Sequence, residues 1–143
     1  MTHTLRAPAN ADELRQYHEI RRRVLWENRG QYGVYNENHP DDFKSGHHPL
    51  LLVHDGEAVG VVRIDIEGTQ AILRRVAIRD DIQRTGHGRA MLALSETFAR
   101  DHGCDHLYSF VAPDAVGFYE RCGFKRDLSR PEIPDHVPMR KDL

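Results

Sequence analysis

The stretch from Val76 to Ala90 reads Val-Ala-Ile-Arg-Asp-Asp-Ile-Gln-Arg-Thr-Gly-His-Gly-Arg-Ala. An apolar strand pattern ends there in a turn carrying Gly86 and Gly88, and a helical pattern follows. Glycine lets the backbone approach a ligand closely. The first N–H groups of a helix have no partner inside it, and the helix dipole draws anions to that end. Arg84 and Arg89 add positive charge nearby. These residues in this order suit phosphate oxygens, so a phosphorylated cofactor is expected. The competing reading is a plain, tight strand-to-helix turn. An ATPase-type phosphate loop is excluded, because it needs Gly-Lys-Ser/Thr where Gly88-Arg89-Ala90 stands. A dinucleotide fingerprint is excluded too, because Met91 occupies the place of its third glycine.

Such a turn needs elements to hold it. Leu5 to Ala7 reads as a short opening strand. Asn10 caps a helix, with Glu13 able to reach back, and Leu14, Tyr17, Ile20 and Val24 recur at helical spacing through Trp26. From Glu27 to His48 the pattern fails, which predicts a loop with at most one short helix. Three strands follow: Pro49–Val53 closed by Asp55-Gly56, Val59–Ile66, and Ala71–Ile78. After the glycine turn, Ala90, Met91, Leu94 and Phe98 share a helical face that ends near Gly103. His106–Val111 is a strand. Pro113 opens a short helix lined by Ala115, Phe118, Tyr119 and Cys122 and ended by Gly123. His136–Leu143 closes as a last strand. Strands in series, then alternating with helices, imply an α/β (α+β) fold with a mixed sheet flanked by helices.

The composition narrows the function. With 20 Lys and Arg against 22 Asp and Glu, the net charge is −2, which argues against nucleic acid as the main partner. The apolar run Leu50–Val53 is far short of the roughly 18 residues of a membrane helix. No secretory signal is visible at the start, and two cysteines make no disulfide framework, so a cytoplasmic protein is expected. No His-Glu-x-x-His is present, and the clustered His102, Cys104 and His106 straddle a helix end and a strand start, so no metal is expected. His47-His48 reads as solvated, and Arg21-Arg22-Arg23 as a surface run wrapping a helix.

Gln83-Arg84-Thr85-Gly86-His87-Gly88 resembles the Gln/Arg-x-x-Gly-x-Gly/Ala signature of the GNAT superfamily of N-acetyltransferases. The run from Ala115 to Phe124, with its aromatic pair and closing Gly-Phe, is similar to a helix of that family, and His136–Leu143 to its last strand. The resemblance covers most of the chain. It implies one acetyltransferase domain over residues 1–143, with a mostly antiparallel sheet splayed between its fourth and fifth strands. It implies acetyl-CoA as acyl donor and a small-molecule or peptide amine as acceptor. The amine would attack the thioester directly. A homodimer is common in the family. A non-catalytic coenzyme A-binding module is the alternative.

Carried over residue by residue, the resemblance assigns the backbone of Val76, Ala77 and Ile78 to the pantetheine arm. It assigns Gln83, Arg84, Thr85, Gly86, His87, Gly88, Arg89 and Ala90 to the pyrophosphate, with Phe118 also beside the cofactor. Tyr119 stands where many members keep a proton donor for the leaving thiolate. Two departures are visible. Ala112 replaces a frequent asparagine, and Arg74 and Arg75 stand on a strand where some members carry a glutamate base. A base is then sought in a water relay or in Glu27. Trp26 falls in a region that often walls the acceptor pocket. One of Arg74 and Arg75 is expected to face the acceptor and bind an anionic group, since strand neighbours point to opposite faces. A surface ion pair to Asp65 or Glu67 is the competing role.

Overall fold

The computed structural model describes residues 2–82, 86–131 and 133–143. In chain order the elements are β1 (His3–Arg6), α1 (Ala11–Arg21), β2 (His47–His54), β3 (Glu57–Glu67), β4 (Gln70–Ile78), α2 (His87–Asp101), β5 (His106–Val111), α3 (Val116–Arg121), β6 (Lys125–Arg126) and β7 (Val137–Asp142). The strands form one sheet in the order β1-β2-β3-β4-β5-β7-β6. Every neighbouring pair is antiparallel except β4 and β5, which run parallel. This is the mixed, mostly antiparallel sheet expected from the order of elements. The short β6 had no apolar pattern to announce it. Among the described residues no helix is long and apolar enough to cross a membrane.

Local chemistry explains the helix starts and stops. Asn10 Oδ1 accepts the Glu13 N–H at 2.9 Å and caps α1. Glu13 reaches back one residue further than a capping box requires: it accepts from the Ala9 N–H at 2.8 Å and from both guanidinium nitrogens of Arg6, tying β1 to α1. The helical pattern read through Trp26 splits. Regular α-helix ends at Arg21, a single π turn covers Arg22–Trp26, and a 3₁₀ turn covers Glu27–Arg29. A second 3₁₀ turn, Pro40–Phe43, is the short helix of the loop.

Two apolar clusters occupy opposite faces of the sheet. The larger lies under α2 and α3 and contains Leu50, Leu52, Val62, Ile64, Ala71, Leu73, Met91, Leu107 and Tyr119. The smaller lies under α1 and contains Tyr17, Ile20, Leu51, Val61 and Ala77. From Val61 onwards β3 alternates, with Val62 and Ile64 on the α2 side and Val61 on the α1 side, after a register shift against β2 that sets Val59 on the α2 side and Ala58 on the α1 side. In β4 it changes phase. Ala71 and Leu73 face α2, but Ala77, also odd-numbered, faces α1. The cause is a β-bulge: Val61 pairs with Ala77 and Arg63 with Arg74, so β4 carries one extra residue. Within that bulge Arg75 has φ +56°, a left-handed backbone in mid-strand.

Gly60 marks where β3, β4 and α2 approach most closely. A Cβ there would lie 2.7 Å from Ile78 Cδ1, 2.9 Å from the Ala77 carbonyl oxygen and 3.0 Å from Met91 Cε. Because one neighbour is backbone, the clash cannot relax by a rotamer change alone. Gly60→Val is expected to destabilise the protein by about 1–3 kcal/mol in urea denaturation, the range for overpacking. Gly117→Ala, in α3 with only the mobile end of Arg121 3.4 Å away, is expected to be neutral or to stabilise by up to about 1 kcal/mol.

Candidate active site

β4 and β5 pair only from Gln70↔His106 to Leu73↔Ser109. β4 continues to Ile78 and β5 to Val111, so the two strands part and leave a wedge-shaped opening beyond Leu73 and Ser109. The Arg79 N–H donates to the Val59 carbonyl at 2.9 Å. Alternation back from Arg79 turns the main-chain groups of Ala77 towards β3 and those of Val76 towards the opening. An extended ligand lying along this arm would complete the sheet as another strand does.

The start of α2 stands next to that arm. Gly86, with φ +90°, precedes it, and no side chain of the described residues caps it. The Ala90 N–H closes the first turn on the Gly86 carbonyl, leaving the N–H groups of His87, Gly88 and Arg89 ahead of the helix ladder. Gly88 has no room for a side chain on one side, because its Cβ would lie 3.2 Å from Phe118 Cζ. Phe118 therefore brings α3 against the first turn of α2. The His87 ring is buried and turned to β1, with Nδ1 2.8 Å from His3 Nε2. Arg89 is exposed and Ala90 half-buried. Gln83, Arg84 and Thr85, expected in the same turn, lie outside the described residues.

Tyr119 lies on the α2 side of the sheet, buried in the larger apolar cluster. Its ring packs edge-on to Phe118 and Phe124, at 5.9 and 5.2 Å between centroids. Its hydroxyl engages the side chain of Ser109, the residue at the apex of the wedge. Burial pushes the Tyr119 phenol above its ordinary pKa, and the Ser109 contact opposes this more weakly. Burial thus favours the neutral phenol, which keeps its proton more firmly than a solvent-exposed tyrosine does.

On the α1 face a cavity of about 510 Å³ opens at the same apex. Leu73, Arg74, Arg75, Arg63, Asp65, His47 and Phe110 are among its lining residues. The Arg74 guanidinium carbon lies 5.3 Å from the Phe110 ring centroid and so spans the two arms of the wedge. The Arg75 guanidinium lies 5.1 Å from the Trp26 ring centroid, and Trp26 in turn packs on Tyr35 at 4.8 Å. Beneath the cavity a buried ion network runs from α1 to β3. Arg21 donates to Asp42 at 2.7 Å, Arg63 to Asp42 at 3.3 Å, and Arg63 to both oxygens of Asp65 at 2.8 and 3.0 Å.

A helix start that no described side chain caps, a parted strand pair, a buried phenol and an open cavity thus lie around β4 and β5. Residues 11–124 match the acetyltransferase (GNAT) family. The chain belongs to that family. YyaT of Bacillus subtilis is 27% identical over 97 residues, which is 66% of this chain and 65% of that protein. The crystal structure of a putative N-acetyltransferase from Lactobacillus plantarum superposes with a TM-score of 0.80 at 19% identity, over 100% of this chain and 99% of that one. The PaiA N-acetyltransferase from Thermoplasma acidophilum, in complex with coenzyme A, does so with a TM-score of 0.74 at 16% identity, over 100% of both chains. At these identities the structural likeness speaks for the fold, and it is the GNAT fold, splayed between the fourth and fifth strands.

Several residues of this GNAT site sit differently from their sequence reading. Arg74 and Arg75 line the same cavity instead of opposite faces, because the bulge breaks alternation. Arg74 also takes its alternative role, with Nε 3.5 Å from Asp65. Glu27 pairs with Arg22 at 3.3 Å and is not among the cavity-lining residues. Arg21, read as surface, is buried against Asp42. His47, read as solvated, is half-buried, lines the cavity and donates from Nδ1 to the Asp41 carbonyl at 2.6 Å. In the neutral ring that bond puts the proton on Nδ1 and the lone pair on Nε2. The Arg63-x-Asp65 spacing was the available signal for a buried pair, since strand residues two apart share a face. Asp42 in its loop gave none.

Burial alone would push the Asp42 carboxyl up, but its hydrogen bonds and ion pairs with Arg21 and Arg63 outweigh this and hold it below the usual carboxylate range. The sign follows: its stabilisation is full above the unfolded pKa of about 3.9 and is lost as pH falls through the lower folded value. Asp42→Ala is expected to destabilise by about 3–5 kcal/mol, since it takes the carboxylate from the buried Arg21 guanidinium, while Arg63 keeps Asp65. Urea denaturation from pH 7 down to 2.5 should also show a shallower acid loss for Asp42→Asn than for the parent.

Proposed function

We propose that this chain transfers an acetyl group from acetyl-CoA to a small-molecule or peptide amine, by direct attack of the amine on the thioester. Residues 1–143 act in this reading as one acetyltransferase domain. The observation that carries it is the parting of β4 from β5 beyond Leu73 and Ser109, beside a start of α2 that no described side chain caps. The residues present fit the donor. The first amides of α2 suit a pyrophosphate, and Val76 offers main-chain groups to an amide-bearing arm. Acetyl-CoA, when bound, supplies the activated acyl group.

Each side of the wedge then has its task. The α2 side holds Tyr119, the phenol we assign to give its proton to the departing thiolate. The α1 side holds the cavity, which admits the acceptor. An ammonium with a pKa of about 10.4 must lose a proton before it can attack. His47 Nε2, directed by the Nδ1 bond to Asp41, is the group we assign to take it through water. The apolar ring of Phe118 closes the gap between α2 and α3 against Gly88.

The test follows free thiol release from acetyl-CoA with a panel of amines. Turnover with at least one amine is expected. Tyr119→Phe should lower kcat by about 10²-fold or more with little change in KM for acetyl-CoA, as for loss of a general acid. Coenzyme A binding without turnover on any amine would make the chain a binding module instead.

A further inference from the structure

The ion pairs around the cavity do not balance locally. Lys44 is matched by Asp41 at 3.0 Å, and Arg21 and Arg63 by Asp42 and Asp65. Arg74 has only a 3.5 Å contact to Asp65, whose two oxygens already accept from Arg63, and 40% of its side chain is exposed. Arg75 has no carboxylate partner among the described residues. Glu67 also lines the cavity but cannot serve it: the register sets Glu67 opposite Gln70, roughly 15 Å along the strand from Arg75.

Arg75 is also held where it is at some cost. Its backbone is left-handed in mid-strand, a conformation unfavourable for a residue with a Cβ. Arg21, Arg63 and Arg74 crowd it with like charge, which the weaker pull of the Asp42 carboxylate offsets only in part. The bulge turns it onto the cavity side, and the Trp26 face holds its guanidinium plane. By contrast Asp55, the other non-glycine residue with positive φ among the described residues, sits in an Asp-Gly hairpin turn, where that conformation is ordinary.

We infer that the cavity binds the acceptor through an anionic group, a carboxylate, gripped by Arg75 with Arg74 beside it, so that the acceptor is a carboxylate-bearing amine. This rests on the acetyltransferase reading for the word acceptor. The planar fork of a guanidinium matches a carboxylate by paired hydrogen bonds. Arg74, bridging the wedge at Phe110, sets that anion close to the apex where Tyr119 works from the opposite face. The anion neutralises the cations that the carboxylates of the described residues leave uncovered. The amine at the other end of the same molecule is left to enter the wedge.

Two measurements test this. Calorimetry in the presence of coenzyme A, with N-acetyl amino acids and their carboxamides as probes, reads binding without turnover. The carboxylates should bind, the carboxamides should bind about ten- to a hundredfold more weakly, and Arg75→Asn should abolish the difference. Asn tolerates the left-handed backbone, so this variant should remain folded. An aminoalkyl phosphate series runs as a parallel arm. Tighter binding there than for the carboxylates would overturn the carboxylate assignment. Equal binding of carboxylate and carboxamide, or equal loss of both in Arg75→Asn, would overturn the proposal. In the thiol assay, Arg75→Asn should raise KM for carboxylate-bearing amines about ten- to a hundredfold, with KM for acetyl-CoA unchanged. Carboxylate binding with no turnover on any amine would contradict the acetyltransferase reading and leave the anion site standing.

Discussion

The structure depends on one interruption in a hydrogen-bond ladder. β4 and β5 pair through Leu73 and Ser109 and then separate, although both strands run on. Backbone groups at a parted edge need a partner, and main-chain polar groups in folded proteins are almost always satisfied. The separation is built into the packing on both faces. On one, Tyr119 fills the apex against Ser109, and Phe118 wedges α3 against Gly88 at the start of α2. On the other, Arg74 reaches across to Phe110 and keeps polar groups at the opening. Closing the wedge would require displacing both.

The bulge in β4 is the second half of that design. One extra residue shifts the phase of the strand, so that Ala77 packs under α1 while Leu73 packs under α2. The same shift delivers two consecutive arginines to one cavity. Beneath them, the Arg21–Asp42–Arg63–Asp65 network holds the loop before β2 against α1 and β3. Such buried pairs add little net stability by themselves, but removing one member is costly. The network fixes the floor of the cavity, and the cations above it give the cavity its charge.

Much of this was legible in the sequence because it rests on local rules. Asn10 caps α1, the Asp55-Gly56 turn joins β2 to β3, and His106–Val111 is a strand, all where residue types and spacing put them. The glycine turn before α2 was readable for the same reason, since Gly86 does adopt positive φ. What the sequence withheld comes from contacts between distant segments. Arg21 is buried because Asp42 arrives from a loop without periodicity. His47 gains its orientation from the Asp41 carbonyl. Alternation predicted opposite faces for Arg74 and Arg75, and the bulge, invisible without the register of β3, overrode it. β6, at two residues, is too short to carry a pattern.

The most direct measurement is a backbone-amide NMR titration of the protein with coenzyme A. The account predicts saturable shifts concentrated at Val76 on the β4 arm and at His87, Gly88 and Arg89 at the start of α2, with β1 and the outer turns of α1 unmoved. Absence of binding, or shifts gathered elsewhere on the sheet with these amides silent, would contradict it.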